Sequence, residues 1–140
     1  MGVGEKTAAH YTVDTALSVD AAIRAVEKAL AARQFGVLWH LDISEKLKEK
    51  GLSGGLPFHI LEVCSPPRAQ AALNTNQKVG YFLPCKVVVY ATDAGNTRIG
   101  LLRPRLMTDL LADPRLDALA DEVDALLSAA IEEAASGASA

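Results

Sequence analysis

The sequence predicts one α+β domain: a largely antiparallel sheet of about five strands with two longer helices packed on one face. Three observations lead to this fold class. The chain has 140 residues, which suits a single domain, and 50% of them are hydrophobic, enough for a sizeable core. Strand-like segments are grouped between a leading and a trailing segment of helical periodicity. We expect the domain to span residues 10–135, with a flexible N-terminus (1–9) and a flexible C-terminal tail (136–140).

The first half of the chain predicts two strands and two helices. HYTVDTAL alternates in the manner of a strand, and Ser18 is a natural N-cap for the helix VDAAIRAVEKALAARQ. FGVLWHLDI predicts a second strand, in which Val37 and Trp39 share one face and His40 lies on the other. Ser44 is expected to cap the short helix EKLKEKG.

The second half predicts three further strands. LSGGLP leads into the strand FHILEVC rather than into a helix, which argues against a phosphate-binding loop. PRAQAALN predicts a short helix, and LPCKVVVYAT and TRIGLL predict strands joined by a hairpin turn at DAGN. RPRLMTDLLAD predicts a loop with one helical turn. Asp113–Pro114 opens the longest helix, whose apolar stripe should be buried: Leu116, Leu119, Ala120, Val123, Leu126, Leu127, Ala130 and Ile131.

Charge and hydropathy exclude several classes of protein. The 14 basic and 17 acidic residues give a net charge of -3 without a basic patch, which argues against a nucleic-acid partner. No apolar run resembles a signal peptide or a membrane span, so we expect a cytoplasmic protein with no membrane partner. In that reducing compartment the two cysteines are expected to be thiols rather than a structural disulfide.

The segments ILEVCSPP, AQAAL and GYFLPCKVVV resemble, in this order, the family called domain of unknown function 302. The resemblance covers roughly residues 10–105. It implies a compact α+β domain, often dimeric, with no established general activity and no catalytic residue to carry over. Ser65 stands where many relatives have Asn, and either residue can cap the helix that follows.

Both cysteines lie at junctions next to proline and are candidate ligand-binding or redox residues. Cys85 shares a strand face with Val87 and Val89, which favours simple packing. Cys64 lies where a strand meets a helix, and the helix N-terminus is expected to lower the pKa of its thiol. A reversible disulfide, sulfur carriage and metal or haem ligation stay open. Glu62 is the third candidate, because a charge in an apolar strand needs a partner or water.

His40, His59 and Met107 are weaker candidates for metal or haem ligation. Imidazole and thioether groups bind both, but the chain has no C-x-x-C, H-x-x-x-H or C-x-x-C-H motif. Histidines satisfied by neighbouring groups, and a methionine that fills a gap beneath the last helix, are the favoured interpretations. The carboxylates form no recognisable acid–base pair, so no catalytic residue and no enzymatic activity are assigned.

These features favour a non-enzymatic module that binds a small molecule or a partner protein and acts as a homodimer. The dimer is expected because an open sheet leaves edge strands, and few charges interrupt VVVYAT or FGVLW. A thiol-based redox or sulfur-handling protein using Cys64 and Cys85 is one alternative. A haem or metal binder is the other, and the cofactor is left open.

Overall fold

A computed structural model describes residues 4–137, which form one six-stranded sheet and five α-helices and confirm the α+β fold. The strands are β1 (Glu5–Lys6), β2 (His10–Thr15), β3 (Gly36–Asp42), β4 (Phe58–Cys64), β5 (Cys85–Ala91) and β6 (Thr97–Leu102). The helices are α1 (Val19–Ala31), α2 (Ile43–Glu49), α3 (Pro66–Thr75), α4 (Pro104–Leu111) and α5 (Asp117–Ser136). Two 3₁₀ turns, Gln77–Tyr81 and Pro114–Leu116, precede β5 and α5.

The sheet is antiparallel throughout, in the order β1-β2-β6-β5-β4-β3. The segment VVVYAT, expected at an edge, lies mainly in β5 and is paired with β4 on one side and β6 on the other. Of the two segments expected at exposed edges, only FGVLW lies at an edge, because it contains the start of β3, the last strand of the sheet. The sixth strand, β1, falls in the segment expected to be flexible, where Glu5 pairs with Thr12. Residues 1–3 and 138–140, parts of the two expected flexible ends, lie outside the described residues.

One face of the sheet carries the core. The buried side chains of β2, β4, β5 and β6 alternate along each strand and pack against α1 and α5. Helix α1 begins as predicted, because the Ser18 hydroxyl accepts a hydrogen bond from the Ala21 amide at 3.1 Å. The predicted stripe of α5 is covered: Leu116, Ala120, Val123, Leu127, Ala130 and Ile131 are buried, and Leu119 and Leu126 are partly buried. None of the helices within residues 4–137 is long and apolar enough to cross a membrane.

A β-bulge in β3 overturns the predicted alternation of that strand. Val37 is opposite Val63, but the register shifts at the next residue, so that Trp39 is opposite Glu62 and His40 is opposite Leu61. An extra residue in one strand reverses the facing of every side chain that follows it. Val37 and Trp39 therefore lie on opposite faces, and His40 lies on the same face as Leu61.

Two further local predictions were wrong. Asp42 rather than Ser44 caps α2, since its carboxylate accepts from the Glu45 amide at 3.0 Å. The segment RPRLMTDLLAD is not a loop with a single turn but contains the eight-residue helix α4, which begins at Pro104. The helix ends at Leu111, and the next residue, Ala112, has a left-handed backbone conformation. Packing against α5 covers the apolar side of α4, and this tertiary contact outweighs the weak local signal.

Candidate functional site

A cavity lies at the end of the sheet where β4 finishes and β5 begins. It has a volume of about 70 Å³, is partly open to solvent and is bounded by α3, α4, α5 and the 3₁₀ turn before β5. Cys64, Cys85 and Met107 all line it, and we call it the sulfur cavity. The rest of its wall is mainly apolar: Phe35, Val63, Ala69, Ala72, Val79, Phe82, Leu83, Leu116, Leu119, Ala120 and Val123.

Strand pairing brings the two cysteines to this cavity. Val63 is directly opposite Cys85, and Cys64 is the next and last residue of β4. The chain turns there into α3 because Pro66 cannot continue the ladder. Both side chains are partly buried, and both cysteines are free thiols. The structure therefore places the two cysteines together, which the sequence alone left open.

The surroundings of the thiols disfavour their ionised forms. Burial raises the pKa of Cys64, and burial together with the nearby Cys64 raises the pKa of Cys85 to about 11. The predicted lowering of the Cys64 pKa by the helix N-terminus is wrong, because burial disfavours the charged thiolate and raises the pKa instead. Ser65 starts α3 without a side-chain capping bond; its hydroxyl accepts from the Arg68 guanidinium at 3.0 Å instead.

The polar groups in the wall of the sulfur cavity already have partners. Arg68 pairs with Glu122 and lies over the Phe35 ring, 5.6 Å from its centroid. The Thr108 hydroxyl donates to the Arg105 carbonyl at 3.0 Å. Thr108 has already donated its one hydroxyl hydrogen, and the charge of Arg68 is balanced by Glu122, with two of its five N–H donors engaged. The cavity is thus suited to apolar surface rather than to a charged group.

Glu62 lies outside the sulfur cavity, on the opposite face of the sheet. Its carboxylate pairs with Lys86 at 3.3 Å, as expected for a charge that finds a partner across the strands. A second cavity of about 210 Å³ lies on that side, and Glu62, Lys86 and Tyr81 line it. Cys85 and Met107 line both cavities and form part of the wall between them. Met107 is buried in this wall.

His40 and His59 come together at the other end of β4. His40 Nε2 and His59 Nδ1 are 2.7 Å apart, a hydrogen-bond distance, and the ring centroids are 5.0 Å apart. The second ring nitrogen of His59, Nε2, is 3.6 Å from Asp42 Oδ2. We call Asp42, His40 and His59 the histidine cluster. The sequence placed His40 near Asp42 but could not show that His59 lies between them.

The cysteines and the histidines do not share a site. His59 is the second residue of β4 and Cys64 is its last, so the two positions are five residues apart along an extended strand, a distance of roughly 16 Å. A ligand set that mixes thiolates with these imidazoles is therefore not formed. Within residues 4–137, no group of three or more His, Cys, Asp or Glu side chains is arranged to hold a metal ion.

Several wall residues of the sulfur cavity escaped sequence analysis. Leu83 was assigned to the start of a strand and Phe82 to no element, and the segment of α4 was predicted as a loop with one helical turn. A signal for α4 was present: Pro104, Met107 and Thr108 recur at helical spacing, and proline favours the first turn of a helix. All three residues line the cavity.

Comparison with known proteins agrees with the fold. The family model described as "Domain of unknown function DUF302" matches residues 11–134. The crystal structure of an uncharacterised conserved DUF302 protein from Bacillus stearothermophilus is similar, with a TM-score of 0.86 and 42% sequence identity. The match covers 89% of this chain and 97% of that one. No curated protein matched. The chain belongs to the family of domain of unknown function DUF302.

Proposed function

We propose that the protein is a non-enzymatic module that binds a small, mainly apolar molecule in the sulfur cavity. The observation that carries the proposal is the wall itself: apolar side chains from α3, α4, α5 and β4 surround a partly open space. Ligand sites in proteins are typically concave and apolar, with a few polar groups that orient the guest. The two thiols line the wall at the end of the sheet, where they can contact such a guest.

The size of the cavity limits the guest. A volume of about 70 Å³ is less than half of the roughly 150 Å³ that accommodates benzene in an engineered cavity. Because the cavity is partly open, a narrow aliphatic chain can enter with its methyl end and leave its polar end in the opening, whereas an aromatic ring needs more width. Met107 has three rotatable bonds, so the wall can widen at that point.

The proposal is tested by titrating ¹⁵N-labelled protein with hexanol and following the amide resonances by NMR. We expect saturable shifts confined to α3, α4 and the start of β5. Ala72→Leu fills the cavity and should weaken binding about tenfold, which corresponds to about 1.4 kcal/mol.

Ala71 supplies the matched control. It precedes Ala72 on the same helix but is exposed, so Ala71→Leu should leave hexanol binding unchanged. Equal effects of the two substitutions, or shifts spread evenly over the sheet, would contradict binding in this cavity. Hexanoate provides a further comparison, because an apolar wall with satisfied polar groups should favour the neutral alcohol.

We also propose that the protein is a homodimer that buries the face of the sheet turned away from α1 and α5. One row on this face crosses five strands, from Thr12 through Gly100, Val88 and Ile60 to Leu41. Except for the buried Gly100, these residues are partly exposed, and the row is mainly apolar. A continuous apolar patch of this kind marks an interaction surface.

The dimer is tested by sedimentation velocity of the native protein and of Val88→Lys at micromolar concentration. We expect the native chain to sediment as a dimer and the variant as a folded monomer, because the lysine is solvated in the monomer and desolvated in the interface. Ala71→Lys on α3 is the control and should stay dimeric. A native protein that sediments as a monomer would contradict this proposal.

A thiol-based function is the second candidate, favoured by the presence of both cysteines in one cavity. Glutathione disulfide can serve as the oxidant: each thiol loses one hydrogen, one S–S bond forms between Cys64 and Cys85, and two glutathione thiols leave. Because burial raises the pKa of both thiols, we expect slow reaction at neutral pH. Timed alkylation should label Cys64 faster than Cys85. Mass spectrometry that finds only glutathione adducts, without the loss of two hydrogens, would exclude the internal disulfide.

A further inference from the structure

The histidine cluster lies apart from the sulfur cavity and brings two imidazole nitrogens together beside a carboxylate. From this geometry we infer that His40 Nε2 and His59 Nδ1 bind one divalent ion of the Zn²⁺ class, with water completing the coordination. Imidazole nitrogen is a preferred ligand of Zn²⁺, and an open site keeps water in the remaining positions. This inference is independent of the proposed function.

The two ring nitrogens already face one another. They are 2.7 Å apart, whereas two nitrogens bound to one tetrahedral zinc ion at about 2.0–2.1 Å lie roughly 3.3 Å apart. Separation by about 0.6 Å, together with a turn of both rings that points their lone pairs at one common position instead of at each other, opens the site. This movement needs no change in the core, because His40 is exposed at the end of an edge strand and its ring can rotate outward.

Asp42 prepares His59 to act as a ligand through Nδ1. Its Oδ1 accepts from the Ser44 hydroxyl at 2.6 Å and from the Glu45 amide at 3.0 Å. These two bonds fix the carboxylate, so that Oδ2 faces His59 Nε2 at 3.6 Å. The distance exceeds that of a hydrogen bond, but the negative charge beside Nε2 favours a proton on that nitrogen and leaves Nδ1 free for the ion.

Ser44 holds the cluster to the sheet. Its side chain is buried, and its hydroxyl also accepts from the Phe58 amide at 3.3 Å, next to His59. The start of β4, the start of α2 and the cluster are thereby joined by one hydroxyl group. The position of Asp42 relative to His59 is set by the fold rather than by a mobile loop.

The test is isothermal titration of the native protein with ZnCl₂, compared with four variants. We expect one zinc ion per chain, and a loss of affinity of more than about tenfold in His40→Gln and in His59→Gln. Asp42→Asn retains a capping side chain but loses the charge, and should weaken binding by roughly 10- to 100-fold. His10→Gln is the matched control, since this third histidine pairs with Glu5 on another strand and should have no effect.

A second readout separates zinc binding by imidazole from binding by thiolate. Co²⁺ should add only weak visible bands, without the near-ultraviolet charge-transfer band that a thiolate ligand produces, and the Cys64→Ser protein should bind it equally well. No zinc binding, equal loss in His10→Gln, or a thiolate band abolished by Cys64→Ser would overturn the inference.

Discussion

The two ends of β4 differ in what covers them, and this difference determines the chemistry of each. At its C-terminal end, Cys64 lies beneath α3 and beside the apolar wall formed by α4 and α5. At its N-terminal end, His59 lies beside α2 and an exposed edge strand, among groups that hydrogen-bond. A single seven-residue strand thus carries a desolvated thiol at one end and, near the other, an imidazole that is hydrogen-bonded to His40 of β3.

The comparison shows that proximity to a helix N-terminus does not by itself activate a side chain. Cys64 precedes α3 by two residues, yet burial raises the pKa of its thiol. Asp42 caps α2, where the Ser44 hydroxyl and the Glu45 amide hold the pKa of its carboxyl below the usual range. Exposure to solvent and the presence of hydrogen-bond donors decide whether the pKa of such a group is raised or lowered. Neither property can be read from the spacing of residues in the sequence.

The largest effect is expected from a charge placed in the apolar end. Val123 is 8% exposed and lines the sulfur cavity, so Val123→Asp should lower the free energy of unfolding by about 4 kcal/mol or more. Ala125→Asp places the same charge on an exposed position of α5 and should cost less than about 1 kcal/mol. Thermal melts by circular dichroism compare the two, and an unchanged melt for Val123→Asp would contradict the packing of α5.

A smaller loss is expected at the histidine end, where a loop supports the cluster. Gly54 has a φ of +79°, and an added Cβ would collide with the Ser44 carbonyl oxygen. Gly54→Ala should therefore destabilise the protein by about 2–4 kcal/mol and displace Ser44. Gly55 has a φ of +67° but open space around it, so Gly55→Ala should cost only about 1–2 kcal/mol. Urea titration of both variants measures the difference. Equal midpoints would mean that the loop moves away from Ser44 without lowering the free energy of unfolding.

The end of β4 that carries the thiols should make the stability of the protein depend on alkaline pH. The folded state raises the pKa of Cys85 from 9.0 to about 11, so the folded state holds this proton more firmly than the unfolded state does. The resulting stabilisation is complete below about pH 9 and declines as the pH rises toward 11. At about pH 10 we expect the native Tm to have fallen by about 2–4 °C more than that of Cys85→Ala. Parallel pH profiles of the two proteins would show that Cys85 is not the group responsible.

The smallest effect on stability is expected for His40→Ala. His40 is exposed, and its hydrogen bond to His59 lies at the surface, so its removal should change the free energy of unfolding by less than about 0.5 kcal/mol. Chemical denaturation in the absence of metal measures this value. A loss above about 2 kcal/mol would show that the histidine pair supports the fold and is not simply an open site.

Local sequence signals predicted a helix or strand correctly wherever the residues of that one segment supplied its capping hydrogen bond or its regular apolar face. Ser18 and the stripe that contains Val123 predicted α1 and α5, and alternation predicted β2, β4, β5 and β6. The ILEVCSPP and GYFLPCKVVV junctions also indicated the family. These features depend on residues close together in the chain, where spacing fixes geometry.

Long-range packing decided the rest. The bulge after Val37 exists only because β3 pairs with β4, α4 forms because α5 covers its apolar side, and the pKa of Cys64 follows from burial by segments distant in sequence. His59 meets His40 for the same reason, through strand register across a connection that contains α2. The sequence by itself determined the elements, the fold class and the family. The tertiary structure decided which side chains meet and how much water reaches them, because both depend on contacts that no local pattern encodes.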